Sequence, residues 1–287
     1  MLDYVLMSEK SHSLLAVFVD GETKTGKGAA GEAIAETLKA QGLNVHYDVA
    51  GDFYRRYVAM VRRDLHLAES DVLESTLDLE ATAASLYDSG EAFDQDETLG
   101  DLQRPAISQS VAVLGELEIA QKAGGEWFAC AVQEAFEKQA DVIVLDGRNP
   151  RLRITHELPE LGIAVQTALD LYMTCDVHEA ARRVLVGRGL NNPSPEQIAA
   201  ESQAVTARRE LDRKRANRPF LEPSETVSFW PSHQDVADIL EESWDAERFG
   251  DLPATIILDN TAIPKDEMLA AVTSLASQAV VLVKTSA

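Results

Sequence analysis

Val19-Asp20-Gly21-Glu22-Thr23-Lys24-Thr25-Gly26-Lys27-Gly28 is the stretch from which the rest of the chain can be placed. Gly21, Gly26 and Lys27 match the pattern G-x-x-x-x-G-K. An apolar run, Leu14 to Val19, leads in and reads as a buried strand. Ala29–Ala40 leads out and reads as a helix, with Ala33, Ile34, Thr37 and Leu38 on one face and Gly42 as its stop. Strand, glycine-rich turn and helix in that order make a cradle for phosphate. Successive backbone N–H groups point inward, and the helix adds its positive end. Glycines let the main chain approach an anion without a Cβ in the way. Gly21, Lys24, Thr25, Gly26, Lys27, Gly28 and Ala29 are the candidate contacts, with the Lys27 ammonium on the terminal phosphates. Gly28 fills the Ser/Thr slot of the pattern, so no hydroxyl is offered there to magnesium. An ordinary strand-to-helix turn, or a relic of the motif that binds nothing, is the competing reading.

Outward from this loop, short apolar runs alternate with longer helical patterns. Asn44–Asp48, Val142–Asp146, Leu169–Thr174 and Ile256–Asp259 read as further strands, and Ala279–Val283 as a last short one. Helical patterns cover 105–122, 126–139, 176–187 and 195–216. Such alternation, with strands apolar on both faces, predicts an α/β fold with a mostly parallel sheet between helices. No stretch reads as a membrane span, and the run 14–19 is too short for a leader.

The chain has 287 residues, with 26 basic and 48 acidic side chains and a formal charge of -22. That charge repels the backbone of DNA or RNA and argues against nucleic-acid or anionic-membrane partners. Cys130 and Cys175 stand far apart, with neither disulfide nor metal spacing, as expected in a reducing compartment such as the cytoplasm. Two stretches are acidic. Tyr87–Asp101 has six acids and no base, and Glu222–Leu252 has nine acids with only Arg248. The second also holds Phe229, Trp230, Ile239, Leu240, Trp244 and Phe249. It reads as a solvated acidic insertion, 222–252, with a helix docked by its aromatics; a partner-binding surface is the alternative. Between Arg182 and Arg218 the balance reverses, with nine bases against four acids. A segment so basic in so acidic a protein is expected to face an anion.

Six segments, in order, resemble the cytidylate kinases among the nucleoside monophosphate kinases. Gly26-Lys27-Gly28 has the glycine that those kinases show after the lysine. Asp48-Val-Ala-Gly51-Asp-Phe-Tyr54-Arg55 is similar to the family's acceptor motif D-(S/T)-G-x-x-Y-R with one residue inserted. Leu102-Gln-Arg104-Pro105-Ala-Ile-Ser108-Gln109-Ser-Val111 resembles I-R-T-P-E-V-S-Q-x-V. Asp146-Gly147-Arg148-Asn149 is close to D-G-R-D. Arg208-Arg-Glu-Leu-Asp212-Arg-Lys-Arg215 fits R-D-x-x-D-x-x-R, and Leu258-Asp259-Asn260-Thr261 resembles L-D-(S/T)-T.

The resemblance, as a divergent member, implies a three-layer α/β/α P-loop kinase domain over 14–287, after an N-terminal extension 1–13. It implies an acceptor-binding region near 49–122 and an arginine-rich lid at 182–218. It implies transfer of the ATP γ-phosphate to CMP or dCMP, with Mg2+ accompanying ATP. Lys27, Arg148, Arg208 and Arg215 would be catalytic. Gly51, Tyr54, Arg55, Arg104, Arg148 and Asp212 would bind the acceptor. Asp20 and Asp146 would either hold a magnesium-bound water or cap the turns that follow them. The departures are Glu22, Lys24, Ala29, Ala50, Gln103 and Asn149. Ala112 and Gln121 or Trp127 also stand where the family reads cytosine. The phosphate chemistry is thus expected in outline, and the base preference is open. A kinase for another small acceptor, or a non-catalytic nucleotide-binding regulator, are the alternatives. The six histidines show no ligand spacing, and no serine sits in a G-x-S-x-G elbow.

Overall fold

The computed structural model describes residues 13–94, 101–102, 104–157, 162–214, 226–229, 231, 234–245, 247 and 253–286. In chain order the elements are β1 (Leu14–Gly21), α1 (Lys27–Ala40), β2 (Val45–Val49), α2 (Ala50–Asp64), α3 (Leu77–Asp88), α4 (Pro105–Leu114), α5 (Glu118–Glu137), β3 (Val142–Asp146), α6 (Pro150–Glu157), β4 (Val165–Thr174), α7 (Val177–Gly187), α8 (Pro195–Lys214), β5 (Thr226–Phe229), α9 (Val236–Ser243), β6 (Thr255–Asp259) and α10 (Lys265–Ser286). Among the described residues the six strands form one sheet, in the order β2-β3-β1-β4-β6-β5, and every pairing is parallel.

β1 explains the architecture. All eight of its residues are buried. Leu14, Ala16 and Phe18 enter one core with Phe53, Tyr57, Trp127 and Phe128 from α2 and α5. Leu15, Val17 and Val19 enter a second core with Ile34 and Leu38 of α1 and Val272 and Leu275 of α10. A strand that faces helices on both sides has no polar face to show, hence its unbroken apolar run. Helices therefore cover both faces of the sheet. β1 lies between β3 and β4, and the chain reaches β2 and β3 on one side before crossing to β4 on the other. In sheets of this kind, ligands bind beyond the carboxyl ends of the strands where the order reverses.

Four expectations are corrected. Ala279–Val283 is not a strand but part of α10, whose buried Met268, Val272, Leu275, Ala276, Ala279, Val280 and Val283 recur at helical spacing. Five apolar residues read alone carry no period that separates the two. α10 is also long and apolar enough to cross a membrane by length and composition, against the reading that no stretch is; here its apolar stripe packs on the sheet. The acidic segment 222–252, expected as a solvated insertion with a docked helix, adds a strand to the sheet as well as that helix among its described residues. β5 extends the sheet through β6, with Val227 and Phe229 buried, and α9 puts Ile239 and Leu240 into the core. The helix predicted over 105–122 is broken, since α4 ends at Leu114 and α5 begins at Glu118.

Candidate active site

The loop after β1 is bent by residues that only some side chains permit. Gly21 has φ 143°, and a Cβ there would lie 2.2 Å from the Met173 carbonyl oxygen of β4, so the strands close up only around glycine. Lys24 (φ 65°) and Gly26 (φ 92°) are left-handed and turn the chain into α1. Thr25 is fully buried and its hydroxyl donates to Glu22 O at 2.9 Å. The N-cap of α1 is Gly26, which has no side chain to cap the helix, and the first turn holds no acid. Its leading amides are thus open to an anion, with the helix dipole behind them.

Two cations converge on this loop. Lys27 Nζ donates to Gly21 O and Glu22 O, each at 2.9 Å. Arg148, just beyond β3, donates to the same Gly21 O at 2.7 Å and pairs with Asp212 of α8. Burial, then the nearby Arg148 charge, lowers the Lys27 pKa to about 8, against the pull of Asp146, Asp20 and Asp212. Asp146, 6% exposed, is raised to about 6, first by burial and then by Asp20, while Lys27, Arg148 and Arg55 oppose.

α8 lies over the loop. Arg209, 6% exposed, pairs with Glu22 Oε2 at 2.7 Å and donates to Cys175 O at 2.8 Å. Arg208 stands 3.4 Å from Asp212 and donates to Ser108 O of α4 at 2.8 Å. Asp212, 2% exposed, therefore joins Arg148 and Arg208. Lys24 lies near a second group of cations, which disfavour its charge. Burial, then Arg55, Arg188 and Arg208, lowers its pKa.

Gly21, Thr25, Lys27, Gly28, Ala29, Arg148, Arg208 and Asp212 thus meet around one loop, and Lys24 and Arg55 stand at its edge. Arg55 pairs with Asp52 at 2.6 Å and lies along Gly51. Tyr54 is turned to α5, where its hydroxyl donates to Ala120 O at 3.3 Å and fills the space over Gly124. Arg104 is not brought to the loop. It donates to Asp101 O at 3.1 Å and pairs with Glu69 at 2.8 Å. Arg215 lies outside the described residues. Of the two aspartates, Asp20 is a cap: its carboxylate accepts from Gly21 N at 2.5 Å and Asn149 N at 2.9 Å. The Asp146 carboxylate accepts no hydrogen bond among the described residues and faces Gly28, whose Cβ would sit 3.6 Å from its Oδ2.

One contributor was not legible beforehand. Asn260, fully buried after β6, donates to Thr25 O at 2.7 Å and accepts from Arg183 of α7 at 3.0 Å. It fastens the loop from below. Its position in the L-D-(S/T)-T-like segment was the only available signal. No family model matches the chain, and no curated protein matches it.

Proposed function

We propose that this chain is an ATP-dependent phosphotransferase of the nucleoside monophosphate kinase type, with CMP or dCMP as first-choice acceptor. The observation that carries this reading is the convergence of Lys27 and Arg148 on Gly21 O, at the uncapped start of α1 and beneath the arginines of α8. Phosphoryl transfer asks a protein to align two anions, exclude water and neutralise spreading charge. The residues suit each task. The amides of 24–29 and the Lys27 ammonium hold the donor's phosphates. Arg148, released in part from Asp212, grips the acceptor phosphate with its planar fork. Arg208 neutralises charge from above as the arginine-rich helix closes, and Arg55 joins from α2.

Asp146 fits a magnesium-bound water, since its buried carboxylate faces the loop; Asp20 does not, both its oxygens being taken by amides. Magnesium supplies charge neutralisation across the donor phosphates. Neither Gly28 nor Ala29 brings a hydroxyl to it.

A second reading, an acceptor other than a cytidine monophosphate, draws on Arg104 and Ala112. The first pairs with Glu69, and the second is buried and apolar where the resemblance expects a serine on the base. A coupled ADP-release assay over a panel of monophosphates tests both. CMP- or dCMP-dependent release supports the first reading, and release with another acceptor the second. ATP binding without turnover on any acceptor contradicts both.

A further inference from the structure

We propose that His46, Asp48 and Glu134 form a binding site for a first-row divalent metal ion of the zinc class, at the outer edge of the sheet. His46 and Asp48 are two residues apart on the edge strand β2, so their side chains leave from the same face. Glu134 comes from α5, which packs on that face. One ligand atom from each lies within 4.8 Å of the others. His46 Nε2 and Asp48 Oδ2 are 3.5 Å apart. Donors on one tetrahedral ion at about 2.0–2.2 Å stand roughly 3.4 Å from each other, so this pair is already spaced for an ion.

The second observation is independent of that spacing. His46 Nε2 is shut off from solvent and makes no hydrogen bond to any described residue. At 3.5 Å, Asp48 Oδ2 is too far for a good N–H···O bond to an imidazole. A buried ring nitrogen without a partner is an unfavourable arrangement that a metal would resolve. Asp48 Oδ1 accepts from Val49 N at 3.2 Å, which holds the carboxylate in place from behind. Glu134 is half-exposed and pairs with Lys138 one turn along α5, an exposed contact that is easily given up. Its side chain supplies the small movement that closes the site.

The donor set selects the ion. One imidazole and two carboxylates suit zinc, cobalt or manganese, whereas calcium and magnesium take oxygen donors. Three protein ligands leave a position for water. A bound ion would tie the edge strand to α5, just before the chain enters α2 with Tyr54 and Arg55. The inference does not depend on the phosphotransferase reading.

Equilibrium dialysis of the full-length protein against zinc chloride, with millimolar magnesium present to saturate loose carboxylates, is the test. Glu134→Gln lies on an exposed helix face and spares the fold; His46→Ala tests the buried ligand. Cobalt titration followed by its visible absorption reads the coordination directly. The proposal expects one zinc per chain, weakened about tenfold or more by either substitution and unchanged by Glu126→Gln. It also expects cobalt bands that vanish in His46→Ala. Zinc uptake that never saturates at one per chain, or equal uptake by all variants, overturns it.

Discussion

Arg209 and Glu22 form an ion pair at 2.7 Å that fastens helix α8 to the loop after β1. The pair joins residues about two-thirds of the chain apart in sequence and is almost dry, with side chains 7% and 13% exposed. It gives the acidic residue in the loop, which the resemblance leaves unexplained, a structural task. Arg209→Ala removes the pair and the bond to Cys175 O, and should cost about 2 kcal/mol of stability. Urea unfolding measures this. The same variant should bind ATP more weakly, because the helix above the loop is no longer held.

Lys27→Ala should abolish nucleotide binding or cut turnover by about a hundredfold or more, on the scale of losing one charge-stabilising donor. Circular dichroism should be unchanged. Arg148→Ala should lose turnover on the same scale but also stability, since Arg148 shares the buried Asp212 carboxylate with Arg208. A double-mutant cycle between Arg148→Ala and Asp212→Ala should return a coupling of about 1–2 kcal/mol.

Gly21→Ala should be the most damaging small substitution in the loop. The new methyl meets the Met173 backbone at 2.2 Å, at a φ of 143°. A loss of about 3 kcal/mol, or failure to fold, is expected. Gly42→Ala is the control: its φ is 86°, with open space around it, so only about 1 kcal/mol should be lost. Thermal melts of the two compare them.

The loop's charges set two pH windows. Asp146 rises from 3.8 to about 6 on folding, so the folded state holds its proton more tightly than the unfolded chain. Its contribution is best in acid and falls as pH climbs from about 4 to about 6, by on the order of 3 kcal/mol. Asp146→Asn should therefore gain on the parent protein across that window in urea unfolding, and the difference should stay level above it. Lys27 falls from 10.5 to about 8, so its charge opposes folding until it is lost, and stability from this group rises between about 8 and 10.5. For activity the sign is opposite. kcat/KM for ATP should decline above pH 8 as the ammonium loses its proton.

The parts of the structure visible in the sequence are those whose cause is local. β1, β3, β4 and β6 are buried on both faces, so each shows as an apolar run. The loop shows because its backbone needs glycine at 21 and 26. The edge strand β5 has four residues, Thr-Val-Ser-Phe, whose alternation is drowned by neighbouring acids. The tail of α10 misleads because a short apolar piece fits either period. The partners of Asn260, Arg209 and Arg104 depend on which loops the fold brings together, and Asn260 reaches Thr25 across 235 residues. Residue type and spacing name the charges of the site but not what each one holds in the folded chain.

Transfer of label from γ-phosphate-labelled ATP to CMP or dCMP, with magnesium, is the most direct test of the central claim that this loop and its arginines move phosphate. The account predicts labelled cytidine diphosphate from the parent protein and almost none from Lys27→Ala. Absence of labelled diphosphate with every monophosphate tried, or equal labelling by Lys27→Ala, would contradict it.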